Sequence, residues 1–232
     1  MGNIAIIPAR GGSKRLKRKN ILPVQDSPML SYPVRNAVKS GMFDQVIVSS
    51  EDEEIGRIAQ KAGARYLKRP VELAQDQSTV VEVCVHVLNE LEKEGKMADY
   101  FCCIYATAIF LTRQDLINSF NLLTKSLEID AVNVVMGVSR FNLQPVQALE
   151  KNKNGMLNPK WPEYKGVQSQ LQPDLVASNG TLYWAGTKRF LQKKTFYDDK
   201  LMGYEIPWVR ALDIDTKENY EIVKLLAQGL LS

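Results

Sequence analysis

The run Ile7-Pro8-Ala9-Arg10-Gly11-Gly12-Ser13-Lys14-Arg15 continues through Lys17, Arg18 and Lys19 to Asn20, placing two glycines among six cations. Adjacent glycines let the backbone come close to an anion and turn its N–H groups toward the oxygens. Arg10 carries a planar fork that can grip a phosphate through two donors, and Lys19 is a compact charge able to follow departing negative charge. Such a loop suits a polyphosphate. It matches neither G-x-x-x-x-G-K-[ST] nor G-x-G-x-x-G opening a helix, which argues against a P-loop kinase and a dinucleotide enzyme.

A second group lies near the other end, in Ala211-Leu212-Asp213-Ile214-Asp215-Thr216. Read as a strand, it projects Asp213 and Asp215 from one face and sends Ile214 into the core. Two carboxylates so close repel unless a cation offsets them, and hard oxygen ligands that leave positions open for phosphates suit Mg²⁺. The alternative is that Asp215 caps the following helix while Asp213 is a surface charge. The only histidine, His86, falls among apolar residues of a helical pattern and reads as a packing residue, as do Trp161, Trp184 and Trp208.

Charge separates the candidate ligands. The 232 residues include 30 basic and 26 acidic side chains, a net charge of +4. Six of the basic ones lie between Arg10 and Asn20, so the rest of the chain carries a slight acidic excess. A nucleic-acid binder spreads its cations along a face that tracks a backbone; one concentrated cluster fits a compact polyanion such as a triphosphate. Cys84, Cys102 and Cys103 form an odd set without C-x-x-C spacing, which points to a reducing compartment and to buried, unbridged thiols. No stretch approaches 18 apolar residues and the opening apolar run Ile4–Pro8 is too short for a signal segment, so a cytoplasmic protein without a membrane span is expected.

The elements needed to position these groups follow from hydrophobic periodicity. Strands are expected at Asn3–Pro8, Gln45–Ser50, Ala64–Lys68, Asp99–Tyr105, Asp130–Met136, Gly180–Trp184 and Arg210–Asp213. Helices are expected across Pro28–Ser40, with Pro33 marking a kink or a start nearby, and at Asp52–Ala62, Thr79–Lys93, Arg113–Leu127 and Lys217–Leu231. Strands alternating with helices predict a single α/β domain over 1–232: a Rossmann-like, mostly parallel sheet with helices on both faces. The basic loop then falls at the carboxyl edge of the first strand, where open sheets of this kind bind ligands. Residues 139–179 break the pattern with four prolines and little periodicity. A structureless stretch of that length is improbable inside a compact domain, so an excursion packing on a partner subunit is expected.

With these residues in view, the chain resembles the CMP-sialic acid synthetase family. Ile7–Lys14 through Lys19-Asn20 looks like its opening motif, Arg69-Pro70-Val71-Glu72-Leu73-Ala74 resembles R-P-x-E-L-A, Asn179-Gly180-Thr181-Leu182-Tyr183 resembles N-G-x-x-Y, and Asp213-Ile214-Asp215-Thr216 resembles D-I-D-T. Cys102–Ala108 is similar to the pseudaminic acid branch, as are Ser169-Gln170 and Tyr183-Trp184, whereas Asn179-Gly180 is the sialic-type form.

The resemblance implies transfer of CMP from CTP to a nine-carbon acidic sugar, with pyrophosphate leaving. The nucleotide would lie on Arg10, Gly11, Gly12, Ser13, Lys14 and Lys19, with Asn20 and Arg69 at the cytidine. Asp213 and Asp215 would hold Mg²⁺, and Tyr105, Ser169, Gln170, Asn179 and Tyr183 would face the sugar. Arg10, Lys19, Asp213 and Asp215 would carry the catalysis. The excursion would serve a homodimer. Two other readings stay open: a cytidylyltransferase for another keto-acid sugar, such as an eight-carbon one, and a non-enzymatic protein that binds RNA through the basic loop.

Overall fold

The computed structural model describes residues 2–126 and 132–231. The expected helix end at Leu127 and strand start at Asp130 lie outside the described residues. In chain order the elements are β1 (Asn3–Pro8), β2 (Pro23–Val24), β3 (Ser27–Pro28), α1 (Ser31–Ser40), β4 (Gln45–Ser50), α2 (Glu53–Lys61), β5 (Arg65–Lys68), α3 (Val80–Lys93), β6 (Tyr100–Ile104) and α4 (Arg113–Ser126). There follow β7 (Val134–Arg140), β8 (Leu149–Lys151), β9 (Leu157–Pro159), β10 (Val176–Gly186), α5 (Thr187–Lys193), β11 (Leu201–Glu205) and α6 (Lys217–Leu230).

Seven strands form one sheet in the order β11-β7-β10-β6-β1-β4-β5, and two short ribbons, β2-β3 and β8-β9, stand apart. β1 pairs in parallel with β4 on one side and β6 on the other, and β4–β5 and β7–β11 are parallel too. Only β10 runs against its neighbours β6 and β7. The chain winds outward from β1 in both directions, so a crevice opens at the carboxyl ends of β1 and β6.

The alternation of side chains in β1 divides the core. Ala5 and Ile7 pack beneath α1, α2 and α4 with Val34, Ile55 and Leu116. Ile4 and Ile6 face the other way, toward α3 and α5, with Val87, Leu88 and Phe190. Helices therefore cover both faces. Cys102 and Cys103, neighbours in β6, fall on opposite faces and are buried free thiols, as is Cys84.

Local chemistry explains several boundaries. Asp52 caps α2, its Oδ1 accepting from the Glu54 N–H at 2.8 Å and the Ile55 N–H at 3.1 Å. Thr79 and Glu82 form a reciprocal capping box on α3. Gly41 takes a left-handed φ of 69° after α1, a conformation open to glycine without penalty. Pro33 lies in the first turn of α1, where its missing N–H costs nothing.

Three expectations fail. The final sheet strand is β11, whereas Trp208–Arg210 is a 3₁₀ turn and residues 211–215 are extended without a ladder partner. The short helix α5 had no counterpart in the periodicity. Trp184 is fully buried, but Trp161 and Trp208 are exposed and do not pack in the core; His86 is half-buried.

Candidate active site

Immediately past β1, the Ala9 N–H donates to the Ser49 carbonyl at 3.0 Å, and the chain leaves the sheet as the basic loop. Asn20, buried at the far end, donates from Nδ2 to the Arg10 carbonyl at 2.9 Å, closing the loop across its neck. Inside it the Ser13 hydroxyl accepts from the Lys19 N–H at 3.0 Å. Ser13 thus shapes the turn that presents Lys19. A Cβ on Gly11 would stand 2.6 Å from Asp52 Oδ2, so only glycine fits there; Gly12 faces open space. The Gly11 N–H is turned to Glu51 Oε1 at 2.8 Å.

Among the described residues, five of the six loop cations have an acidic partner. Arg10 Nη1 lies 3.0 Å from Asp76 Oδ1, and Lys14 Nζ lies 2.5 Å from Asp76 Oδ2. Arg18 reaches Asp52 at 3.0 Å and Glu54 at 2.8 Å. Lys19 Nζ donates to Asp215 Oδ1 at 2.7 Å, and Arg15 pairs with Oδ2 of the same carboxylate. The last two contacts join residues nearly 200 positions apart in sequence. The amino-terminal loop and the late aspartates therefore meet in space.

Residues 211–216 hold their place without a strand ladder. Ile214 is buried in a pocket of Val24, Met29, Phe110 and Val223, between α6 and the β2-β3 ribbon. Asn219 Oδ1 accepts from the Asp215 and Thr216 N–H groups, at 3.3 and 3.0 Å, and Thr216 caps α6. The two aspartates flank an inward Ile214 as expected, and Asp213 is exposed, but Asp215 does not cap the helix: Thr216 does, through its box with Asn219. Asp213 makes no ion pair of its own among the described residues. Desolvation and the neighbouring Asp215 charge push its carboxyl above the usual range. Burial alone would also raise Asp215, but the Lys19 hydrogen bond and the charges of Lys19 and Arg15 outweigh it and hold that carboxyl low. A divalent cation beside the pair would relieve the repulsion on Asp213.

A cleft of about 200 Å³ opens at the crevice between β1 and β6. Arg10, Lys19, Asn20, Arg69, Thr79 and Tyr105 are among the residues that line it. Arg69 is only 4% exposed, and its guanidinium meets Glu51 Oε2 at 3.1 Å through Nη2. Burial lowers its pKa against the opposing pull of Glu51. Glu51 therefore ties the loop, through Gly11, to Arg69. Sequence reasoning missed Glu51 and Asp76. Glu51 follows directly on β4 at the same carboxyl edge, the one signal that could have marked it; for Asp76, 66 residues from Arg10, no local pattern exists.

The expected sugar residues divide. Tyr105 lines the cleft, and burial together with the nearby Tyr183 pushes its phenol well up. Tyr183 is buried behind it, ring centroids 5.7 Å apart, with its hydroxyl 2.8 Å from Ser178 Oγ. Asn179 is engaged within the fold: its Oδ1 accepts from the Thr181 N–H at 3.2 Å and the Thr181 hydroxyl at 2.6 Å, and its Nδ2 donates to Ser139 Oγ at 3.0 Å. These bonds fix an irregularity in β10 that sets Gly180, at a left-handed φ of 63°, against the Tyr105 ring. Ser169 and Gln170 stand exposed on the excursion and are not among the cleft-lining residues.

A pseudaminic acid cytidylyltransferase of Campylobacter jejuni is 30% identical over 227 residues, covering 97% of this chain and 96% of that protein. An N-acylneuraminate cytidylyltransferase of Escherichia coli is also 30% identical, over 97% of this chain and 52% of its own length. The solved structure of CMP:2-keto-3-deoxy-manno-octonic acid synthetase complexed with CTP superposes with a TM-score of 0.71 over 99% of this chain and 100% of that one, at 17% identity, which shows a shared fold. The family model described as cytidylyltransferase matches residues 4–166, well over half of the sequence. Arg10, Lys19 and the buried Arg69 line this cleft, Asp213 and Asp215 lie outside its lining and are joined to it through Lys19, and the chain belongs to the cytidylyltransferase family.

Proposed function

We propose that this chain transfers CMP from CTP to the anomeric hydroxyl of a nine-carbon acidic sugar, of the sialic, pseudaminic or legionaminic type, and releases pyrophosphate. The observation that carries the reading is the Lys19–Asp215 contact, which brings the phosphate-binding cations and the carboxylates to one place. The relatives similar over nearly the whole chain bear names that specify pseudaminic acid and N-acylneuraminate.

Arg10, Ser13, Lys14 and Lys19, with the Gly11-Gly12 backbone, hold the triphosphate in this reading. Arg10 and Lys14 exchange Asp76 for phosphate oxygens as the nucleotide enters. Asn20 and Arg69, the buried polar groups on the cleft wall, meet the cytidine. The sugar sits on the Tyr105 side, near Asn179 and Tyr183, with Ser169 and Gln170 reaching a site through a homodimer. Asp213 and Asp215 fit Mg²⁺: two hard, mutually repelling carboxylates with coordination positions left for substrate oxygens. When bound, the ion would offset charge developing on the α-phosphoryl group and favour ionisation of the attacking hydroxyl. Lys19, released from Asp215, and Arg10 then stabilise the departing pyrophosphate, so positioning and charge supply the rate.

The excursion leaves Leu143 79% and Leu171 72% exposed, and Leu149, Met156 and Leu157 exposed as well, apolar side chains suited to burial against a second copy of the chain. Among the described residues no helix is long and apolar enough to cross a membrane, and three unbridged thiols fit a cytoplasmic enzyme.

The test is pyrophosphate release from CTP, with and without Mg²⁺, offering sialic, legionaminic, pseudaminic and eight-carbon keto-acid sugars in parallel. Release with a nine-carbon sugar alone is expected. Release with the eight-carbon acceptor alone would transfer the assignment to that sugar class. Silence with every acceptor, joined to salt-steep RNA affinity, would replace the enzyme with a binding protein.

A further inference from the structure

The two aspartates sit on a segment that no strand holds, so something else must fix their direction. On the carboxyl side the Thr216–Asn219 cap does so. On the amino side the residue directly before the segment, Arg210, lays its guanidinium on Asp115, with Nη1 to Oδ2 at 2.6 Å and Nη2 to Oδ1 at 3.1 Å. Arg210 Nη1 also donates to the Phe110 carbonyl at 3.3 Å.

Asp115 is no ordinary surface partner. Its side chain is 6% exposed and lies in the first turn of α4. Oδ2 accepts from the Thr112 N–H at 2.8 Å and from the Thr112 hydroxyl at 2.6 Å, while Oδ1 accepts from the Tyr204 hydroxyl at 3.1 Å. The carboxylate is thereby tied to a helix start, to β11 and to the residue that begins the aspartate segment. A forked arginine held this way restricts direction as well as distance. Phe110, whose carbonyl Arg210 also touches, belongs to the apolar pocket that seats Ile214. One device thus anchors the backbone before Asp213 and supports the side chain between the two aspartates.

We propose that Arg210 and Asp115 are positioning residues for the cation site of Asp213 and Asp215. Neither contacts substrate; together they keep the two carboxylates converged so that a divalent ion meets them pre-arranged. The inference rests on the cytidylyltransferase reading above, and ligand sites held loosely by their support lose affinity by tenfold or more on the same logic.

Two readouts test it, on wild type, Asp115→Asn and Arg210→Lys, with Arg189→Lys as a control that weakens an ion pair to Asp198 elsewhere. Asparagine at 115 can still cap α4, so that variant is expected to fold. The first readout is amide hydrogen exchange in the nucleotide-free, metal-free protein. Exchange at Arg210, Ala211 and Asp215 is expected to accelerate about tenfold more than in β1 and β6 in the two clamp variants, with the control unaffected. The second is the Mg²⁺ concentration giving half-maximal pyrophosphate release. It is expected to rise about tenfold in the clamp variants while the KM for CTP at saturating metal stays within about twofold. Unchanged exchange in folded clamp variants overturns the proposal, as does faster exchange with an unaltered Mg²⁺ requirement. A wild type that releases no pyrophosphate with any acceptor sinks the enzyme reading itself, a result distinct from either.

Discussion

Two long segments leave the carboxyl edge of the sheet without joining it, and they are held in opposite ways. The basic loop after β1 is closed across its neck by its own Asn20 and fixed by polar contacts to residues far away in sequence: Asp76 on Arg10, Glu51 on Gly11, Asp215 on Lys19. The excursion after β7 makes mostly local contacts, through the β8-β9 ribbon and short 3₁₀ turns, and leaves large apolar side chains in solvent. The first segment is complete within one chain. The second presents a surface still to be covered. A loop whose work is electrostatic is finished by its own fold, whereas one whose surface is apolar gains its energy only on association.

The sharpest way to break that contrast is at Arg69. Arg69→Leu strands the Glu51 carboxylate and removes the brace between the cleft wall and the loop, so unfolding free energy should drop by about 3–5 kcal/mol, measured by urea titration. A loss under about 1 kcal/mol would mean that the loop is not braced from that side. Next in size is Asp215→Asn, which takes away a proposed metal ligand and the partner of Lys19 and Arg15. Turnover is expected to fall about a hundredfold or more while CTP still binds, followed by pyrophosphate release and by calorimetric titration. Near-normal turnover would remove Asp215 from the metal site.

Asp115 supplies a smaller, pH-dependent effect. Burial would raise its carboxyl, but the Arg210 and Thr112 hydrogen bonds win and lower it. A carboxyl whose folded pKa lies below its unfolded one stabilises the fold above the unfolded value, near 4, and loses that contribution as pH falls through the folded value. Asp115→Asn should therefore cost about 2 kcal/mol at pH 7, and the gap to wild type should close progressively below about pH 4. A gap that persists undiminished into stronger acid would show that charge is not what Asp115 contributes. The smallest effect on a single protomer belongs to the excursion. Leu149→Ser with Leu157→Ser should leave protomer stability within about 0.5 kcal/mol per site, read by denaturation at low protein concentration. Light scattering should nonetheless show loss of the proposed dimer. A wild-type chain that is already monomeric, or a mass that the substitutions leave unchanged, would remove the excursion as an interface.

The sequence made the same contrast half legible. Strands β1 and β4 fall where their apolar runs predict, because each is buried on both faces and needs no partner information. α2 and α3 announce themselves through Asp52 and Thr79, since a cap is a local event. The direction of β10, by contrast, depends on where the excursion returns the chain, and no local pattern encodes that. β11 escaped notice because it is an edge strand paired with β7 alone and none of its residues is buried, and α5 is too short to show a period. In the site, the cations and the aspartate pair could be read from residue type and spacing. Asp76 and Asp115 could not, since their roles arise only when segments 66 and 95 residues apart are brought together.

The antiparallel course of β10 has one more consequence. Val176, the first residue of β10, is the register partner of Arg140, the last of β7, and Arg140 is paired with Asp174 beside it. The excursion is therefore stapled shut at its stem, like a hairpin whose tip has grown. Lengthening or replacing such a tip costs closure entropy that rises only with the logarithm of its length. The seam at Arg140 and Val176 is therefore a place where one insert can be exchanged for another while the basic loop and the cleft are left untouched.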